Sequence, residues 1–176
     1  PIGVFPSPNT TDLVYFDTYL FTADVNGNIY NCDPDDPTSW VLSNYITMQM
    51  VGGNGIGVSQ QDRFVVGFTE YGIQFFYDAA NTSGSPLTND EFKSIPVGCA
   101  AQNSISESEG IILFVSGSRD GGYTVSRLDQ TQIKPCGTPS IDRIINAEGT
   151  NVTSALGRAF RVSGHHLYFL TLAGAN

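Results

Sequence analysis

Asp62-Arg-Phe-Val-Val-Gly-Phe-Thr-Glu-Tyr-Gly-Ile-Gln-Phe-Phe-Tyr77 reads as two apolar strands folded back through a short Thr-Glu-Tyr-Gly turn. The first of these strands has counterparts along the chain. Segments 19–23, 64–68, 111–115 and 167–172 are each nearly continuously apolar, and their starts lie 45, 47 and 56 residues apart. Strands of that kind are covered on both faces by neighbours. A period of about 40 to 50 residues, each holding several short strands, is the signature of a β-propeller blade. The expected fold is therefore all-β: roughly three and a half blades of about four antiparallel strands each, interrupted by a short helical insertion near 139–147. A β-sandwich with similar strand lengths is the competing architecture.

Working outward, the repeats fall at 12–50, 54–98, 99–137 and an incomplete 158–176 within one domain. The chain opens on Pro and closes on Ala-Gly-Ala-Asn, so it reads as a fragment of a longer polypeptide. In the first repeat, strands at 13–16 and 18–25 lead to Asn26-Gly27, a type I′ hairpin turn, because both residues tolerate the positive φ such a turn demands. A loop at 33–37 precedes an outer strand at 40–48. In the second repeat a short inner strand at 56–59 precedes the hairpin, a polar loop spans 81–90, and 92–97 closes the blade. The third holds strands at 100–106, 110–116, 123–128 and 132–136, with a turn at Arg119-Asp120-Gly121-Gly122. Behind it, Ile141, Ile144 and Ile145 follow Ser140 at helical spacing, which makes Ser140 the expected N-cap of one or two helical turns.

Composition narrows the function classes. The chain is 40% hydrophobic and only 14% charged, with 19 Gly and 9 Pro, as expected of a folded, turn-rich β protein. No apolar run approaches the ~20 residues a membrane-spanning helix needs. Net charge is -9, and no Lys or Arg precedes Arg63. That balance argues against tight sequence-specific nucleic-acid binding, which draws on Lys and Arg contacts to phosphate. Cys32, Cys99 and Cys136 have neither CxxC nor zinc-ligand spacing and read as small residues buried in strands.

Candidate chemistry is sparse. Ser118-Arg-Asp120-Gly121-Gly122-Tyr-Thr124 fits the core of an Asp-box, the turn of sialidase-like propellers, but Val125 stands where an aromatic residue normally follows, and a plain hairpin between two apolar strands is the preferred reading of this single incomplete copy. Glycoside hydrolysis needs placed carboxylates, and sialidases an arginine cluster, which eight scattered basic residues do not supply. Adjacent strand residues point to opposite faces, so His165 and His166 read as one buried and one exposed residue and not as a metal pair. Asp24-x-Asn26-x-Asn28 resembles the start of a calcium loop, but Gly27 falls at the fourth position and not the sixth, so a hairpin is expected. Neither a catalytic residue nor a metal or cofactor is expected. A secreted sialidase-like or glycan-binding propeller is the alternative functional class.

Residues 63–77, Pro96-Val-Gly-Cys-Ala-Ala, Leu113-Phe-Val-Ser-Gly, and above all Lys134-Pro135-Cys-Gly-Thr138-Pro-Ser140-Ile141-Asp-Arg-Ile together resemble the packaged-DNA stabilisation proteins of short-tailed phages. The resemblance covers roughly residues 12–172, and departs from the family where Gln74 replaces a common Glu. It implies a propeller-bearing tail nozzle or hub in the virion, with copies of the chain in a ring, a hexamer by resemblance. The ring would lie between portal or adaptor proteins and distal tail proteins. DNA would pass only as non-specific transit, with no catalysis, and an acidic lumen would repel its phosphates.

Overall fold

The computed structural model describes residues 5–6, 12–117 and 122–174. Among the described residues, fifteen strands form four antiparallel sheets in chain order. The first sheet is β1 (Val14–Phe16), β2 (Tyr19–Ala23), β3 (Asn28–Asp33) and β4 (Asp36–Thr47). The second is β5 (Gly55–Gln61), β6 (Phe64–Thr69), β7 (Ile73–Asp78) and β8 (Leu87–Asn89). In the third, β9 (Gly98–Cys99) and β10 (Ser106–Ser108) both pair with the inner edge of β11 (Ile111–Gly117), followed by β12 (Tyr123–Asp129) and β13 (Gln132–Pro135). After helix α1 (Pro139–Ala147), β14 (Leu156–Val162) and β15 (His165–Thr171) make a two-stranded sheet. The four segments whose spacing revealed the repeat are β2, β6, β11 and β15, the second position of every sheet. This is a β-propeller architecture, with sheets stacked around neighbouring inner strands.

Alternation within the quoted hairpin explains the stacking. Paired Val65 and Phe76 point to the first sheet and join a cluster with its Phe21 and Ile29 and with Val58 of β5. Paired Val66 and Phe75 point the other way, to Ile112, Phe114 and Leu128 of the third sheet. Neither face is left for solvent, so a strand of unbroken apolar residues is what the position requires. Phe68 and Phe114 meet edge to face at 5.2 Å across that second interface, both fully buried; each such side chain contributes on the order of 2–3 kcal/mol by burial. Gln61 fastens the same interface, its Nε2 donating to Gly110 O at 2.7 Å and Leu128 O at 3.1 Å.

Several sequence expectations are corrected. Asn26-Gly27 is not a type I′ turn: only Gly27 has positive φ (+81°), and Gly27 N–H donates to Asp24 O at 3.1 Å, giving a type I turn followed by a glycine bulge. The Asp24 carboxylate drives it by accepting from the backbone N–H groups of Asn26 and Asn28, each at 2.9 Å. The loop expected at 33–37 is a tight turn at 34–35, where Pro34 precedes Asp35 at φ +59°. The outer strand of the second sheet is β8, inside the segment expected to be a loop. Residues 92–97 contribute only a bridge from Ile95 to Ile73, because Asp90 caps a 3-10 turn over Glu91–Lys93. The strand expected at 100–106 is broken by a 3-10 turn at Gln102–Ser104, whose Ser104 hydroxyl takes the place of a ladder partner by accepting from Val115 N–H at 3.0 Å. Cys136 is exposed, unlike Cys32 and Cys99. His165 and His166 are both exposed, at the start of β15 in the two-stranded fourth sheet.

The two-residue turns β1–β2, β3–β4, β5–β6, β10–β11 and β12–β13, with the longer β7–β8 loop, gather on one rim. Gln61 and Asp62 line one recess with Gln130 and Thr131, and Asp17 lines another with Arg63 and Asp78. Positive φ at Asp17, Asp35, Asp62 and Glu109 places acidic residues in these turns, because short polar side chains tolerate the left-handed region better than branched ones. Asp17, Asp35 and Asp62 therefore belong to the rim, while Asp24 lies in the β2–β3 turn at the other end of the strands. The inner strands are mixed in charge: β14 carries Arg158 and Arg161, and Arg161 pairs with Glu109.

Candidate functional site: a helical clasp and an apolar groove

The segment from Lys134 to Ile144 folds as a clasp on β12. Lys134 and Pro135 end β13, paired with Arg127 and Ser126. The N-cap of α1 is Thr138, not Ser140: Thr138 Oγ1 accepts from Ile141 N–H at 3.4 Å, and Pro139 occupies the first turn, where its missing N–H costs nothing. Ser140 lies exposed within that first turn. Thr124 Oγ1 donates to Asp142 Oδ1 at 2.6 Å. Asn146 closes a reciprocal amide pair with Tyr123, accepting from its N–H and donating to its C=O, both at 2.8 Å. A Cβ at Gly137 would stand 2.0 Å from Asp142 Oδ1 and 2.6 Å from Thr124 Oγ1, so a side chain there would displace the Thr124–Asp142 bond.

The clasp drives Ile145 into the core against Leu113, Val125 and Val152. Beside it a groove of about 520 Å³ runs between the third and fourth sheets. Its walls are apolar: Leu113 and Val125, Ile141 and Ile144, Tyr168 and Leu170. The ionisable groups on its lining are Arg127, His166, Cys136 and the Tyr168 phenol. Arg127 is already paired with Asp129 at 2.5 Å. Burial pushes the Tyr168 phenol above its usual range while its O–H donates to Ser104 O at 2.6 Å, so it acts as a strut. No carboxylate pair lines the groove, and among the described residues no group of three His, Cys, Asp or Glu side chains could hold a metal. A lining of this kind packs apolar surface and offers no general acid and base in tandem.

The sequence-derived positions do not form one site. Asn26 and Gly27 sit in the first sheet's turn, away from the clasp. Gly122, at φ +104°, leads directly into Tyr123, while Asp120 and Gly121 lie outside the described residues. Lys134, Pro135, Thr138, Ser140 and Ile141 share the β13–α1 corner. Sequence reasoning missed Thr124, Asp142, Asn146 and Gly137. Asp142 and Asn146 at i and i+4 on one short helix were the available signal.

Stacked antiparallel sheets, inner strands side by side and an apolar groove lined for packing define a β-propeller. A family model described as bacteriophage P22 Gp10, β-propeller, matches residues 5–175, and the chain belongs to that family of phage DNA-stabilisation proteins. A comparison with curated proteins finds no match. The chain is accordingly a phage protein with a structural role.

Proposed function

We propose that the chain is part of a tail nozzle or hub that helps retain packaged DNA and later lets it pass. The observation that carries this reading is the family match over nearly the whole chain. Physical chemistry supports it: on the rim Asp17, Asp35 and Asp62 outnumber the nearby Arg63, since Lys93 is paired with Asp90 and Arg161 with Glu109, and the excess negative charge repels phosphate at close range, which favours passage over adhesion. In this reading copies of the chain stand in a ring in the phage tail, between portal or adaptor proteins and distal tail proteins. The work is mechanical, with no catalysed reaction and no cofactor. Phage grown without this gene product should fill heads at the normal rate and then lose DNA, measured as nuclease-sensitive genome in purified particles. Particles that hold their DNA fully without it would contradict the proposal.

A further inference from the structure

Phe92 stands apart from the other apolar side chains: it is 98% exposed, against 64% for Tyr15, the next highest among the described residues. It belongs to the 3-10 turn Glu91–Lys93 that follows β8, the outer strand of the second sheet. That sheet packs against the first sheet on one face and the third on the other, so no neighbouring blade is placed to cover its outer flank. The turn itself is firmly held. Asp90 N–H donates to Phe75 O at 2.8 Å, Asp90 Oδ1 accepts from Phe92 N–H at 3.3 Å, and Ile95 bridges to Ile73. Lys93 pairs with Asp90 at 3.0 Å and its ammonium lies 3.9 Å from the centre of the Phe64 ring. A large ring held in water by this much structure is preorganised, and its hydration cost is recovered only when a partner covers it.

Charge defines the kind of partner. Lys93 lines both recesses beside the turn; one also holds Asp62, the other Asp17, Arg63, Asp78 and Asp90. With Glu91 this surround has five carboxylates against two cations. A second copy of the chain, itself at net charge -9, would meet like charge there, whereas a basic surface is complementary.

We propose that the Phe92 turn is a docking knob for a different virion protein, one that offers an apolar pocket rimmed by Lys and Arg side chains. Phe92 is the anchor that fills the pocket. Glu91, which makes no ion pair among the described residues, and the carboxylates beside it meet the basic rim. The inference rests on the reading of the chain as a virion component, and its test separates the two.

Phage are grown with a benzophenone side chain in place of Phe92, and purified particles are illuminated. The cross-link should join this chain to another virion protein, at a segment bearing Lys or Arg. Particles that contain the chain but yield no cross-link overturn the inference alone, as does a cross-link to a second copy; particles that lack the chain overturn the virion reading and the inference with it. Phe92→Ser should leave the melting temperature of the purified gene product unchanged, because the ring is almost wholly in solvent. The variant should nevertheless be lost from salt-washed particles roughly tenfold faster or more. Loss at the native rate overturns the inference, and so does a lowered melting temperature, which would make Phe92 part of the fold. Glu91→Lys should also hasten loss, by a factor that shrinks as salt rises; an effect independent of salt would overturn the basic rim.

Discussion

Single residues carry this fold's turn chemistry. Thr18 follows Asp17 in the two-residue β1–β2 turn with φ +70°, an uncommon conformation for a β-branched side chain. Thr18→Gly should raise stability by about 1 kcal/mol in denaturant melts, because glycine adopts that φ without the steric cost. Asp24 works in the opposite sense. Burial raises its pKa, but hydrogen bonds from Asn28, Asn26 and Tyr30 outweigh it and leave the carboxyl below its ordinary value of 3.8. A lowered folded-state pKa gives stability that is present above 3.8 and lost as pH falls through the folded value. The melting-temperature gap between the native chain and Asp24→Asn should therefore be widest near neutrality and shrink on acidification; a gap independent of pH would contradict this. Burial pushes the Cys99 thiol up to about 12, so it should resist alkylation until the chain unfolds, while Cys136 reacts.

At the scale of elements, the clasp is the feature most open to test. Asn146→Ala removes both bonds to the Tyr123 backbone and should cost about 2 kcal/mol, with exchange of the Tyr123 amide accelerated. Gln61→Ala leaves Gly110 O and Leu128 O without their shared donor and should cost about 1–3 kcal/mol. These elements also mark what a sequence can disclose. β6 and β7 were legible because burial on both faces leaves an unbroken apolar run. β8 was not, because a three-residue outer strand, Leu87–Asn89, carries one buried apolar side chain and is polar otherwise. The break before β10 was hidden because a serine hydroxyl replaces a backbone partner there, a substitution with no composition signature. At the helix start the information was present: Pro139 favours the first helical turn, which points to Thr138 and away from Ser140 as the cap. The clasp itself joins residues 18 to 23 positions apart, beyond the reach of local spacing.

For the whole molecule, period and apolarity sufficed to read four stacked sheets, since each must bury the faces of its neighbours. Charge placement was not legible: a run of acidic residues in sequence gave no sign that successive hairpins deliver them to one rim while Arg158 and Arg161 enter the innermost strand of the last sheet. The functional reading rests on the family match, with the acidic rim in support. Such a protein acts through where it stands in the particle. Gold-labelled antibody against this chain, imaged on intact purified phage, measures that directly. Label at a single vertex, at the base of the tail, is the predicted result; label spread over the capsid, or no label on particles while the protein stays in the lysate, would contradict the account.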